Sequence, residues 1–312
     1  MNTPIRLHRG GFALTLLPLG ATLHGFDVAL PDGSWRNVVV SRDDPDAVHS
    51  SYLGASVGRC ANRIGHARFE LDGRSYRLLA NEGDNHLHGG PGGFSERIWQ
   101  VAEVTENSAT FTLVSEDGDQ GYPGRVVARA TYTVGDDGAE VVYRARTDAA
   151  TPVNLTSHPY FRLGGTSIDD HRVTMPASAY TPVDAAMIPT GETRAVTGTA
   201  LDFRAGAMVK QACTAAVSAG LDANGGIDHN FVVDGSGWRE QVRLDGPDGL
   251  TLRVLSDAPA VQLYSGELIG RAGLAIEPQG FPDAPNHASF PSVILHPGQE
   301  YLRRIRWSFS HA

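Results

Sequence analysis

The chain has 312 residues, a formal net charge of -9 and two cysteines. That acidic balance, with no block of Lys or Arg able to follow a line of phosphates, argues against nucleic acid or an anionic membrane as partner. Cys60 and Cys213 lack C-x-x-C or zinc spacing and are too few for a disulfide framework, which points to a reducing compartment, and a chain this long buries enough surface to need no staples.

The N-terminal stretch MNTPIRLHRGGFALTLLPLGATLHGFDVAL is apolar but broken by Pro18 and Gly20, and no A-x-A-like site closes a signal h-region. No run approaches the roughly 18 apolar residues of a membrane span. A cytoplasmic protein is expected, with the Asn154 sequon left unglycosylated. Seven Asp-Gly dipeptides follow, ending at Gly33, Gly73, Gly118, Gly138, Gly235, Gly246 and Gly249, several of them between alternating runs. Asp-Gly accepts the positive φ of tight hairpin turns, so the pattern predicts antiparallel β structure. The hairpins are clearest in ARFELDGRSYRLL, ATYTVGDDGAEVVYRAR and QVRLDGPDGLTLRVL. Helix is expected at two places: the small-residue stretch Ser51 to Ile64, and Ala207 to Gly220, which ends on a glycine suited to a C-cap. No repeat, low-complexity segment or long linker interrupts the hairpin signals, so one large all-β domain over residues 1–312 is predicted.

Two motifs mislead. GASVG (Gly54 to Gly58) matches G-x-S-x-G, but a nucleophile elbow needs a strand running into Ser56 and a long helix leaving it, and here a few residues and a hairpin follow. NHLHGG puts His86 and His88 at H-x-H spacing, which on a strand would bring both imidazoles to one side and suit a metal. A cupin-like site would want a Glu four or five residues later, where Gly92 and Gly93 stand, so no metal is expected.

Other polar segments are scattered along the chain: GRCANRI (Asn62, Arg63), NLTSHPYF (His158), GIDHNF (Asp228, His229), AVQLYSGEL (Gln262) and AIEPQGFPDAPNH (Glu277, Gln279). Each sets a hydrogen-bonding side chain beside apolar, Gly or Pro residues. Singly, each is better explained structurally: Asn62 and Arg63 closing a helix end, Asp228 capping a turn, Glu277 pairing with one of 26 Lys and Arg residues. In TPVNLTSHPYF the alternation sends Val153, Leu155 and Ser157 to one face and Asn154, Thr156 and His158 to the other, so an imidazole ends one face of a strand.

Together they weigh differently. GRCANRIGHARFELDGRSYRLLANEGDNHLHGGPGGFSERIW, TPVNLTSHPYFRLGG, GIDHNF, PAVQLYSGELI and AIEPQGFPDAPNHASFPSVILHPGQEY resemble, in order and spacing, the signature blocks of the aldose 1-epimerase (galactose mutarotase) family. The resemblance implies a large antiparallel β-sandwich of the galactose mutarotase type, with few short helices and an open groove for sugar. It implies that Glu277 in AIEPQ is the general base and His158 in NLTSHPYF the general acid. Asn62, Arg63, His88, Asp228 and Gln262 would hold sugar hydroxyls or polarise the ring, with Tyr160 a further contact. It implies no metal and no organic cofactor, and a small-molecule monosaccharide as partner; the charge balance adds no nucleic acid and no membrane, and a monomer or homodimer is expected.

The chemistry asks for these residue types. Interconverting anomers removes a proton from the anomeric hydroxyl and delivers one to the ring oxygen on the same carbon, so a base and an acid must converge within hydrogen-bond reach. Glu is ionised at pH 7, and a His near 6.5 is expected to be raised by Glu277 or Asp228 so that it can donate. Arg63 or His88 would stabilise charge on the ring oxygen, and Asn62, Gln262 and Asp228 suit hydroxyls that both donate and accept. Ser157, Pro159 and Arg162 stand where the family usually has Asn, Ser and Asn, which bears on the choice among galactose, glucose, xylose and arabinose. The alternatives are a non-catalytic sugar-binding module, a lyase or hydrolase using Asp228 or Asp283 as second carboxylate, and a hexose-phosphate epimerase using Arg59, Arg97 and Arg162. As stacking partners for a sugar, Trp99, Phe281 and Tyr160 are weaker candidates than as core residues, and burial in the core is expected of each.

Overall fold

In a computed structural model describing residues 2–41, 51–221 and 225–311, the period-two runs become antiparallel ladders. Val126–Val134 and Gly138–Thr147 form the expected hairpin, and Tyr301–His311, Leu250–Ser256 and Arg239–Asp245 extend it into the middle of a nine-stranded sheet. A six-stranded sheet runs in the order Tyr160–Phe161, Leu274–Gln279, Ala260–Tyr264, Asp228–Val233, Ala177–Thr181, Arg194–Ala195. A four-stranded N-terminal sheet spans Ile5 to Asn37. One apolar face of each large sheet meets in a common core, with Phe161, Phe231, Leu263 and Ile276 from one and Tyr132, Tyr143, Ile305 and Trp307 from the other. Each large apolar side chain so buried contributes roughly 1.5–3 kcal/mol. This is the expected all-β antiparallel sandwich.

Local chemistry explains the turns. Asp72 (φ 52) and Gly73 (φ 74) both take positive φ between Arg68–Leu71 and Arg74–Arg77, as a two-residue hairpin turn requires. The helix Val209–Ser218 forms where periodicity placed it. It closes with Leu221 N donating to Ala216 O (2.9 Å) and Gly220 N to Val217 O (3.1 Å) around Gly220 at φ 64, the glycine-centred C-terminal motif. No helix among the described residues is long and apolar enough to cross a membrane.

The other expected helix does not exist. Residues 51–64 hold only the short strands Ser56–Val57 and Arg63–Ile64, because Gly54 (φ 70) and Asn62 (φ 61) turn the backbone out of helical geometry. The small residues serve close approach instead: a Cβ on Gly54 would lie 2.1 Å from Leu23 O. Gly54→Ala is therefore expected to cost at least about 1–3 kcal/mol through its strained φ alone. A thermal melt should show it as a fall of roughly 2–4 °C per kcal/mol; an unchanged melt would contradict the contact.

Candidate active site

Along Leu274–Gln279, Leu274 and Ile276 enter the core, so Ala275, Glu277 and Gln279 face the other way. Cross-strand register then sets Glu277 beside Gln262 and Gln262 beside Asn230, and aligns Asp228, Tyr264, Ala275 and Tyr160 in the next row. Residues far apart in sequence thus share one polar face. His158 arrives just past the two-residue strand Thr156–Ser157, its main chain clamped on both sides: His158 N donates to Ala55 O and Gly54 N to His158 O, each at 2.9 Å. Arg63–Ile64 pairs with His86–Leu87, which brings Asn62 and His88 together, and Asn62 N donates to His88 Nδ1 at 3.1 Å.

These elements line a cavity of about 260 Å³. That lies just below the roughly 300–1,000 Å³ of drug-sized ligand pockets and suits a small polar molecule. Every residue that the family resemblance assigned to the site lines it except Gln262, which stands behind Asp228 and donates to its Oδ1 from Nε2 at 2.6 Å. A cavity of similar size, about 280 Å³, lies beside Val153, Pro259, Val293 and Tyr301 and gathers none of the candidates.

Inside the first cavity His158 Nε2 is 3.4 Å from Glu277 Oε1, with side chains only 4% and 2% exposed. His158 Nδ1, Glu277 Oε2 and Gln262 Oε1 are buried with no hydrogen-bond partner among the described residues, so a ligand rich in hydroxyls would satisfy them. Arg63 is held by a two-pronged bond to Glu82, Nε to Oε2 and Nη2 to Oε1, both 2.6 Å. The His158 ring packs against Tyr160 (5.0 Å between centroids) and edge-on to His88 (5.2 Å), and Tyr52 covers His88 at 4.4 Å.

The electrostatics run against two expectations, an ordinarily ionised Glu277 and a raised His158. Burial pushes Glu277 well above the usual carboxylate range, with Asp228 adding to the rise and Arg63 opposing it. Burial also lowers His158 to about 4, whereas the sequence suggested that neighbouring carboxylates would raise it. Desolvation outweighs attraction here because neither group has water to stabilise its charge. Both shifts disfavour a carboxylate–imidazolium ion pair and favour a single proton carried by the Glu277 carboxyl beside a neutral imidazole.

His88, His158 and Glu277 each offer a ligand atom, all within 4.8 Å of one another. A metal-bound imidazole donates from its other nitrogen, yet His88 accepts at Nδ1 from Asn62. Its Nε2 consequently keeps the proton, and burial, with His158 and Arg63 nearby, holds the ring far below 6.5 and neutral. The set is built to donate a hydrogen bond rather than to ligate a metal.

Several candidates fall elsewhere. The H-x-H pair parts company because the strand stops at Leu87 and His88 turns to φ 50; His86 instead contacts Leu79 O (2.6 Å) and Tyr122 OH (2.9 Å). His229 packs beside Tyr180 and Phe231, and Gln279 is buried outside the cavity lining. Asp283 accepts from Gly65 N (3.0 Å) and Asn286 Nδ2 (2.6 Å), tying a loop rather than supplying a second catalytic carboxylate. Arg59 is spent on Ser115, Glu116 and Pro123, Arg97 on Asp119, and Arg162 on Ala272 O. None of these three lines the cavity, nor do Ser157 and Pro159. Trp99 and Phe281 are buried against Phe94 and Phe290, away from it. Tyr52, Glu82, Tyr264 and Leu268 line it unforeseen. Tyr264 was findable, two residues from Gln262 on the same strand face; the others carry no local signal.

A buried carboxyl–imidazole pair in a small polar cavity, on an antiparallel sandwich, defines a β protein with a candidate site for a small polar ligand. Comparison with known proteins narrows it. The family described as Aldose 1-epimerase matches residues 4–308. The aldose 1-epimerase of Escherichia coli (strain K12) is 36% identical over 97% of this chain and 93% of its own. The galactose mutarotase of Bos taurus is 38% identical over 95% and 91%. The crystal structure of an aldose epimerase homologue from C. elegans superposes with a TM-score of 0.93 and 30% identity over 100% of both chains. The chain belongs to the aldose 1-epimerase family, a family of carbohydrate isomerases, and its sandwich is the galactose mutarotase-like fold.

Proposed function

We propose that this chain interconverts the α and β anomers of free aldoses such as galactose or glucose, with Glu277 as base and His158 as acid. The observation that carries the assignment is their 3.4 Å contact, buried in a cavity that also holds Asn62, Arg63, His88 and Asp228. The shared proton gives the sequence of events. When sugar hydroxyls and Arg63 stabilise the Glu277 carboxylate, the proton passes to His158. Glu277 then takes the anomeric proton as His158 gives its own to the ring oxygen, and the bond from C1 to that oxygen breaks. The aldehyde turns about C1–C2 and closes on its other face with the two roles reversed, so no proton is gained or lost.

His88 Nε2–H and the Arg63 guanidinium suit oxygens that gain negative charge during ring opening. Asp228, oriented by Gln262, suits a hydroxyl that donates. Among the described residues Arg63 is the one arginine in the cavity lining, and it is already paired with Glu82, which favours a free sugar over a sugar phosphate. We read the chain as one β domain over residues 1–312, cytoplasmic, working as a monomer or homodimer without metal.

Polarimetry on freshly dissolved α-D-galactose, α-D-glucose, α-D-xylose and α-L-arabinose, with chelator present, tests the proposal. Rotation is expected to decay faster than in buffer for at least one sugar. Decay at the buffer rate for all four would leave a sugar-binding module in its place.

A further inference from the structure

Ser56, the serine of the G-x-S-x-G stretch, has no part in this chemistry, yet it occupies a joint. Its Oγ lies 2.8 Å from Tyr143 OH, 3.3 Å from Tyr132 OH and 3.1 Å from Ala21 O, and Tyr132 OH donates to the same carbonyl at 3.0 Å. Ser157, the cross-strand partner of Ser56, adds another hydroxyl facing both phenols, although its Oγ forms no hydrogen bond to the described residues. All of these residues are 0–1% exposed. Hydroxyls buried in a core cost free energy unless they are bonded to one another or to the backbone, and the neighbouring inward positions of the same sheet are Ala128, Ala130, Val141 and Ala145.

Proton counting gives the cluster a direction. Ala21 O accepts from both Tyr132 and Ser56, so Ser56 Oγ is left to accept from Tyr143, and the Tyr143 oxygen is left open to Ser157. Placement gives it a purpose. Tyr132 and Tyr143 stand on neighbouring strands of the nine-stranded sheet, whereas Ser56–Val57 pairs with Thr156–Ser157, the strand that ends at His158. The residues just before Ser56, Gly54 and Ala55, hold the main chain of His158 from both sides. The cluster is the polar tie between a two-residue strand, weak by itself, and the largest rigid element of the fold.

We propose that Ser56, Tyr132 and Tyr143 form a positioning network that fixes the main chain around His158, and with it the reach of the imidazole toward Glu277 and the sugar ring. The proposal rests on His158 being the acid, and these three are positioning residues that touch no substrate. A displacement of about 1 Å at a reacting group can cost on the order of 10²-fold in rate.

The test uses Tyr143→Phe, which removes one oxygen and keeps the ring, with Ser56→Ala and the double variant beside it. Melts identify which variants are folded, and Ser56→Ala replaces Tyr143→Phe if the latter is not. Polarimetric kcat is expected to fall about 10-fold with KM changed by less than about twofold. The double variant should be little worse than either single one, because the hydroxyls act as a unit. In nitrogen-15 histidine NMR of the sugar-free proteins the His158 imidazole signals should shift, while those of buried His171 stay in place. Full kcat in Tyr143→Phe, or an unshifted His158 imidazole, overturns the proposal. A wild type no faster than buffer would instead sink the acid–base assignment, and the imidazole signals alone would then decide the network.

Discussion

Glu277→Gln is expected to slow catalysed mutarotation by about 10²–10⁴-fold and, at neutral pH, to raise the melting temperature. The first effect follows from removing the carboxyl that lies against His158 and is proposed to take the anomeric proton. The second follows from burial: Glu277 is 1% exposed and its carboxyl is pushed well above the ordinary range. A carboxyl whose folded-state pKa is raised binds its proton more tightly folded than unfolded. Its stabilising contribution is complete below the unfolded value of about 4.3 and is lost as pH rises toward the folded one. At pH 7 the wild type therefore bears a penalty that the neutral amide escapes. The difference in melting temperature should open upward from about pH 4.3. Calorimetry at pH 4 and pH 7 beside polarimetry checks both. A variant that keeps wild-type turnover, or that melts below the wild type at pH 7, would remove Glu277 from the role of buried base.

His158→Asn is expected to cost a comparable factor, about 10²–10⁴, and the wild-type pH profile identifies why. With burial holding His158 at about 4, the one-proton pair persists far into acid and takes a second proton only there. Once it does, Glu277 can no longer act as base. The acid limb of kcat/KM should thus lie near pH 4 rather than at the 6.5 of a free imidazole, with the alkaline limb set by the raised Glu277. An acid limb near 6.5 would mean that His158 titrates as a solvated group and would break the shared-proton scheme. Stability adds a separate check, because burial also lowers His86 to about 4. Folded-state imidazoles depressed in this way stabilise the fold above the unfolded value, and that stability drains as pH falls from about 6.5 toward 4 while the unfolded chain takes up protons.

The parts of this molecule legible along the chain are those governed by a few neighbouring residues. The Asp72–Gly73 turn, the hairpin of Val126–Val134 with Gly138–Thr147 and the Gly220 helix stop each follow from local φ preferences and a repeat of two or 3.6 residues. The candidate site residues were likewise visible as short blocks, and the polar face of Leu274–Gln279 follows from its alternation. Residues 51–64 misled because small residues serve close backbone approach as readily as helix, and only Leu23 lying against Gly54 decides between them. The separation of His86 from His88 depended on a φ of 50 at one residue past the strand end, which no periodicity encodes. Tyr52, Glu82 and Leu268 joined the cavity from loops whose positions are set by what they pack against. Most consequential was the charge state of His158 and Glu277. Sequence presents a carboxylate and an imidazole as an attractive pair, but which form each takes depends on the water removed around them, and that is settled only when distant strands close over the cavity.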